Sequence, residues 1–214
     1  MIFVLDSSGS INYHANGIYK NNYETVRNFT YEFVDGLNIG PDENQIGVII
    51  YGSEGQVVFN LNNFTEKAPL LDEIRRIPYV GQATNTADGL CLLLKEGFTE
   101  DSGARLSSDN VFRLAIVLTD GRSNRESQHC NSDTLQAAEA VHNFTHPIIV
   151  YAIGVTDNVN DEELRAIASE EEFIVHLEDF SPTLFAQTSD EQAYQLCFRS
   201  KCLKWDVEVT LLIC

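Results

Sequence analysis

Residues 2–10 decide the fold, and they read Ile2-Phe-Val-Leu-Asp6-Ser-Ser8-Gly-Ser10. Four consecutive apolar residues, β-branched and aromatic residues among them, predict a strand buried on both faces, which is typical of a parallel sheet. The strand stops at Asp6, and a turn rich in hydroxyl groups follows at once. Functional groups of an open α/β sheet collect beyond the carboxyl ends of its strands. We therefore expect a cluster of hard oxygen atoms here, suited to Mg²⁺, Mn²⁺ or Ca²⁺ and poorly suited to soft metals.

The rest of the chain alternates apolar strands with helical stripes. Further strands are predicted at 45–51, 57–61, 111–119, 148–155 and 173–176. The pattern predicts an α/β fold: a Rossmann-like, doubly wound, mostly parallel six-stranded sheet with one antiparallel edge strand and helices on both faces. Right-handed crossovers then bring the strand ends at Asp6 and Asp120 to the same edge. We expect one domain over 1–198, closed by a helix at 181–198, and leave the tail 199–214 unassigned.

Three segments together resemble the metal-ion-dependent adhesion site of von Willebrand factor type A domains, the family that includes integrin I domains. They are Asp6-Ser-Ser-Gly-Ser10, Gly81-Gln-Ala-Thr84-Asn-Thr86 and Leu118-Thr-Asp120-Gly121, in the order that the family has them. Each segment alone is an ordinary turn sequence, so it is the joint match that indicates a site. The likeness covers roughly residues 2–197. It implies five metal-binding residues, namely Asp6, Ser8, Ser10, Thr84 and Asp120.

The threonine of the second segment has an alternative. Thr84 is the preferred ligand, and Thr86 would then cap the helix that follows. The reverse assignment stays open on the sequence alone.

The resemblance implies an adhesion module and no enzyme. Mg²⁺ is the expected cation, with Mn²⁺ or Ca²⁺ as alternatives, and two hydroxyls with at most one directly bound carboxylate leave it an open position. An Asp or Glu of an extracellular protein ligand, such as a collagen-like or other matrix protein, would fill that position. The family further implies that Thr84 and Asp120 exchange between direct and water-mediated contact. The last helix, 181–197, would shift as affinity changes.

Two other functions stay open. One is a structural matrix component whose domain mediates self-assembly. The other is a Mg²⁺-dependent hydrolase, since phosphatases of the haloacid dehalogenase kind also begin with a strand and an Asp. That chemistry needs a second Asp where this chain has Ser8. The sequence also contains neither a Gly-x-Ser-x-Gly elbow nor a nucleotide-binding glycine loop.

Composition limits the partners and the location. A formal net charge of −18 argues against nucleic acid and anionic membrane surfaces, and no apolar run is long enough to span a bilayer. Three Asn-Phe-Thr acceptor patterns, at Asn28, Asn63 and Asn143, favour secretion and glycosylation. Thr30 falls opposite the apolar stripe of the helix predicted at 24–37, which would leave Asn28 accessible. We expect an extracellular domain whose leader and flanking regions lie outside this chain.

The five cysteines form neither a Cys-x-x-Cys pair nor a zinc pattern. Cys91, inside a predicted buried helix, is expected to be a core thiol. In the resembled family, a cysteine after the last helix often pairs with one before the first strand. Cys197 and Cys202 are therefore candidates, either for pairing with each other or for a partner outside the chain.

Overall fold

The first strand lies in the middle of a six-stranded sheet, as its unbroken apolar run predicts. The computed structural model describes residues 1–12, 19–108, 111–127 and 129–181. From one edge to the other, the sheet contains β3 (Gly55–Phe59), β2 (Gly47–Tyr51), β1 (Ile2–Asp6), β4 (Arg113–Thr119), β5 (Ile148–Val155) and β6 (Ile174–Leu177). All neighbours are parallel except β2 and β3, which pair antiparallel at the edge. The predicted fold class is confirmed.

Helices connect most of the strands, as predicted, although the short helix directly after β1 was not expected from the sequence. They are α1 (Gly9–Asn12), α2 (Asn22–Asp35), α3 (Lys67–Ile74), α4 (Thr86–Leu92), α5 (Thr134–His142) and α6 (Asp161–Ile167). The helix that contains Cys91, predicted above as buried, continues from α4 into a π-helical turn, Leu93–Gly97. The helix predicted at 181–198, the pair Cys197 and Cys202, and the tail 199–214 fall outside the described residues, apart from residue 181. Within those residues, no helix is both long enough and apolar enough to cross a membrane.

Helices α2 and α4 cover opposite faces of β1, because successive side chains of a strand point to opposite sides. Phe3 packs edge-to-face against Phe33 of α2, with ring centroids 5.6 Å apart. On the other face, a Cβ at Gly89 of α4 would lie 2.9 Å from both Val4 and Tyr51. Glycine thus lets α4 pack tightly against β1 and β2. That contact fixes the position of the loop that leads into α4.

One expectation about α2 is wrong. Thr30 is fully buried, and its Oγ1 donates a hydrogen bond to the carbonyl oxygen of Val26 at 3.0 Å. A threonine can satisfy its hydroxyl on its own helix and so lie among apolar residues. Asn28 is nevertheless exposed, as are Asn63 and Asn143, so glycosylation at these three positions stays a prediction.

A disulfide bond joins Cys91 of α4 to Cys130, with their Cα atoms 6.1 Å apart. The expectation that Cys91 is a free core thiol is therefore wrong. Cys91 is buried as predicted, but burial does not distinguish a thiol from a bonded cysteine. The bond ties α4 to the loop between β4 and α5.

We predict that the double variant Cys91→Ala/Cys130→Ala lowers the free energy of unfolding by about 2–4 kcal/mol, because the crosslink restricts the unfolded chain. Urea unfolding under non-reducing conditions measures the change. Peptide mapping of the unreduced wild type should recover the Cys91–Cys130 pair. An unchanged unfolding midpoint, or a different pairing in the map, would contradict this connection.

Candidate metal-binding site

Three loops meet at the carboxyl edge of the sheet. The loop after β1 contacts the loop before α4, since the backbone N–H of Gly9 donates to the carbonyl oxygen of Gln82 at 2.7 Å. The loop after β4 contacts that second loop, where the N–H of Asn124 donates to the carbonyl oxygen of Thr84 at 3.0 Å. The fold thus brings together the three segments that the sequence marks as a site.

Hydroxyl and carboxylate oxygens of the first and third loops form one hydrogen-bonded chain. The Oγ atoms of Ser8 and Ser10 lie 3.0 Å apart, and Ser10 Oγ donates to Asp120 Oδ1 at 2.7 Å. Ser8 and Asp120 are buried, whereas Ser10 is exposed. The oxygen cluster is therefore open to solvent on the side of Ser10.

Asp6 holds the backbone around this oxygen cluster in place. It is fully buried, its Oδ1 accepts the backbone N–H of Ser8 at 2.8 Å, and its Oδ2 accepts the Thr119 hydroxyl at 3.0 Å. Both carboxylate oxygens thus have protein donors, and the residue fixes the Ser8 turn to the end of β4. Thr119 is a site residue that the sequence reasoning missed, although it directly precedes Asp120.

The two carboxylates destabilise each other's charged form. Burial raises the pKa of Asp6, and hydrogen bonds from Ser8 and Thr119 oppose this shift. Burial, followed by the charge of Asp6, raises the pKa of Asp120 to about 7. None of the salt bridges among the described residues brings a lysine or arginine to either carboxylate. A bound cation would relieve this repulsion, so the donor set fits a hard divalent ion.

The two threonines of the second segment have different surroundings in the structure. Thr84 lies in the loop, 5% exposed, beside the loop that follows Asp120. Thr86 is fully buried and is the first residue of α4. Asn85 caps the helix instead, since its Oδ1 accepts the N–H of Asp88 at 3.2 Å. The expectation that Thr86 caps α4 is wrong.

A third buried acid, Asp88, holds the surrounding loops in place. Its carboxylate accepts the Gly55 N–H at 2.5 Å and the Ser127 hydroxyl at 2.6 Å, and it lies 2.8 Å from His129 Nδ1. Burial acts to raise the pKa of Asp88, but these hydrogen bonds outweigh it and lower the pKa below its ordinary value. Asp88 thereby connects α4 and β3 to the loop after Asp120. Sequence reasoning missed it, although one acid inside an otherwise apolar helix was a usable signal.

The site differs from a cluster of conventional metal ligands. Over residues 1–12, 19–108, 111–127 and 129–181, no group of three or more His, Cys, Asp or Glu side chains could hold a metal ion. The candidate site has two carboxylates, and hydroxyl groups make up the remainder of its oxygens.

The chain belongs to the von Willebrand factor type A domain family, whose sequence model matches residues 1–189. Among its relatives is Matrilin-1 of Gallus gallus, 32% identical over 183 residues, which are 85% of this chain and 34% of the relative. Another is the collagen alpha-4(VI) chain of Mus musculus, 32% identical over 184 residues, which are 85% of this chain and 7% of the relative. The chain thus spans about a third or less of these relatives.

Solved structures agree with this assignment. Proximal thread matrix protein 1 from the mussel byssus, in a structure with a zinc-occupied metal-ion-dependent adhesion site, has a TM-score of 0.75 at 26% identity. The match covers 92% of this chain and 45% of that protein. Manganese-loaded TRAP protein of Plasmodium vivax shares the fold, with a TM-score of 0.63 at 20% identity over 91% of this chain and 70% of the other.

We predict that the metal-free protein loses stability as the pH rises from about 4 to about 7, across the interval between the ordinary pKa of 3.8 and the raised pKa of Asp120. In this interval the folded state holds a proton that the unfolded state has released, so a higher pH favours unfolding. Asp120→Asn should reduce this loss to the part that Asp6 contributes, and it should stabilise the metal-free protein at pH 7.5 by on the order of 2 kcal/mol. Urea unfolding in EDTA measures both proteins.

The control for this prediction is Asp72→Asn, which changes an exposed acid on α3 and should leave the pH profile unaltered. An advantage of Asp120→Asn that is the same at pH 4.5 and pH 7.5 would contradict the assigned cause.

Proposed function

We propose that this chain is an extracellular adhesion module that binds a matrix protein through a divalent cation. The observation that carries the proposal is the hydrogen-bonded chain from Ser8 Oγ through Ser10 Oγ to Asp120 Oδ1, which is buried at both ends and exposed to solvent at Ser10. A site that is held by the fold and open to solvent suits an ion that links two proteins.

In this proposal, some residues of the site bind the cation and others hold those ligands in position. Ser8 and Ser10 offer hydroxyl oxygens, and Asp120 offers the carboxylate that Ser10 contacts. Thr84 offers a third hydroxyl from the loop whose carbonyl oxygen accepts the N–H of Asn124. Asp6 keeps the Ser8 turn in place through its two hydrogen bonds. When bound, the cation supplies positive charge and an open coordination position for an Asp or Glu of the partner. Mg²⁺ is our first choice, and the zinc site of the mussel protein supports a divalent cation in general.

The relatives support the matrix setting. A matrilin and a collagen chain each match about 85% of this chain, so we propose a collagen-like or other matrix protein as the partner. Exposed Asn63 and Asn143, each followed by an exposed threonine two residues later, agree with a secreted protein. We assign no catalytic role, because the relatives described above are a matrilin, a collagen chain and a thread matrix protein, and the site geometry serves binding.

A second candidate is a structural matrix role in which the domain binds copies of itself. The likeness to a thread matrix protein favours it. Sedimentation of the purified chain with Mg²⁺ and with EDTA separates the two, because self-assembly produces oligomers in the absence of any partner.

We predict saturable uptake of Mg²⁺ and Mn²⁺ near one ion per chain in isothermal titration. Asp120→Ala should abolish it, because the variant loses one of the two carboxylates of the site. Asp72→Ala, at an exposed position on α3, should bind like the wild type. A wild type that takes up no ion would refute the proposal and leave the domain as a scaffold.

A matched pair of variants tests whether Thr84 or Thr86 is the metal ligand. Thr84→Val should weaken Mg²⁺ binding at least about tenfold, because it removes a ligand hydroxyl while keeping the shape of the side chain. Thr86→Val should leave the affinity within about twofold, since no ligand is lost there. Thermal unfolding in EDTA confirms that both variants are folded. The opposite pattern would assign the ligand to Thr86.

A further inference from the structure

The turn between β2 and β3 contacts the loop that leads into α4, on both sides of Thr84. The hydroxyl oxygen of Ser53 accepts the backbone N–H of Ala83 at 3.3 Å. The carbonyl oxygen of the same serine accepts a hydrogen bond from the side-chain amide of Asn85 at 3.1 Å. Both neighbours of Thr84 in the sequence are therefore bonded to one residue of this turn, although the turn contains none of the five candidate metal-binding residues.

The side chain of Asn85 is central to this contact. Asn85 is 1% exposed, and its Oδ1 accepts the N–H of Asp88 at 3.2 Å. Its Nδ2 donates to the carbonyl oxygens of Ser53 at 3.1 Å and of Glu126 at 3.2 Å. An asparagine amide has two N–H donors, so both are used here. A buried amide with all its donors bonded is held in one conformation, because breaking either bond would leave a buried polar group unpaired.

The bond to Glu126 joins the third loop of the site to the second. Glu126 lies in the loop after Asp120, and in this loop the N–H of Asn124 also donates to the carbonyl oxygen of Thr84 at 3.0 Å. The segment Thr84–Asn85 thus makes two hydrogen bonds to one loop. Two bonds at separate points restrain the orientation of that loop as well as its distance.

The β2–β3 turn is also bonded to α4 itself. The N–H of Gly55 donates to the carboxylate of Asp88 at 2.5 Å. A Cβ at Gly55 would lie 2.7 Å from the side chain of Leu92 and 3.2 Å from the carbonyl oxygen of Asp88. Glycine therefore lets the turn approach α4 closely, and the turn contacts both this helix and the loop before it.

Capping of α4 alone does not explain the bonds of Asn85. An N-cap needs only a side-chain oxygen, and Asn160 caps α6 in this way, since its Oδ1 accepts the N–H of Glu162 at 3.0 Å. The Nδ2 of Asn160 donates to Glu163 of the same helix at 3.2 Å. The Nδ2 of Asn85 instead bonds to two other segments of the chain, so its amide has a role beyond the end of the helix.

We infer that Asn85 and the β2–β3 turn are positioning elements of the metal site, which hold Thr84 and the loop after Asp120 in a fixed arrangement. The inference rests on the proposed function, because it takes Thr84 as a ligand of the ion. Residues behind a metal ligand fix its orientation and so change the affinity without touching the ion. The site is thus supported by a fourth loop at the same edge of the sheet.

The test is the variant Asn85→Ser, because serine keeps an oxygen for the N-cap and lacks the amide donors. In isothermal titration, we expect this variant to bind Mg²⁺ about tenfold more weakly than the wild type. In EDTA, we expect the amide hydrogen of Asn124 to exchange at least about tenfold faster, relative to the amides of β4, because the loop is released locally. The exchange measurement does not involve the ion.

Asn160→Ser is the matched control, since it makes the same substitution at the N-cap of α6. It should leave both the Mg²⁺ affinity and the exchange at Asn124 within about twofold of the wild type. Ser53→Ala tests the turn, because it removes the acceptor of the Ala83 N–H and should weaken Mg²⁺ binding in the same direction as Asn85→Ser.

The inference is overturned if Asn85→Ser leaves the exchange at Asn124 unchanged relative to β4, or if Asn160→Ser changes it as much. Wild-type Mg²⁺ affinity in Asn85→Ser would overturn it too. If the wild type itself binds no Mg²⁺, the proposed function fails, and the exchange at Asn124 alone decides whether Asn85 holds the loop. The two failures are therefore told apart.

Discussion

Two buried carboxylates at the ends of adjacent parallel strands impose the constraint on which the site depends. β1 and β4 pair in register up to Leu5 and Leu118, so Asp6 lies beside Thr119, and Asp120 follows one residue later at the same edge. Two like charges at such a place are unfavourable in an apolar interior. Hydroxyl groups of Ser8, Ser10 and Thr119 surround them. The arrangement concentrates negative charge where a cation could neutralise it.

The remaining contacts around the site serve to hold its loops. Asp88 and the Cys91–Cys130 bond both connect α4 to the loop after β4. Gly89 allows α4 to approach β1 and β2 closely. Two of the three site loops are thereby fixed to the same helix, and this helix is fixed to the centre of the sheet. The positions of the site residues therefore depend on the packing of α4 against β1 and β2, which lies outside the site itself.

The fold class and the central strands could be predicted from the sequence, because each has a local sequence pattern. Doubly buried strands read as apolar runs, so β1, β4 and β5 were located closely. Contacts between side chains that are far apart in the sequence could not be predicted, because no local sequence pattern indicates them. Cys91 and Cys130 are 39 residues apart, and whether a buried cysteine finds a partner depends on how the loop folds back. Thr30 and Thr86 were also misjudged. Hydrophobic periodicity does not predict that a threonine can be buried, either with its hydroxyl bonded to its own helix or inside the first turn of a helix.

The position of β1 and β4 has a mechanical consequence. A ligand held at the proposed site would pull on residues that follow directly from these two strands. Each is bordered by a parallel strand on both sides, so a load along the strand axis strains several backbone hydrogen bonds at once in shear. A load on the edge strand β3 would be carried by its hydrogen bonds to β2 alone. The proposed site is therefore attached to the two strands of the sheet whose hydrogen bonds are shared with a parallel neighbour on each side.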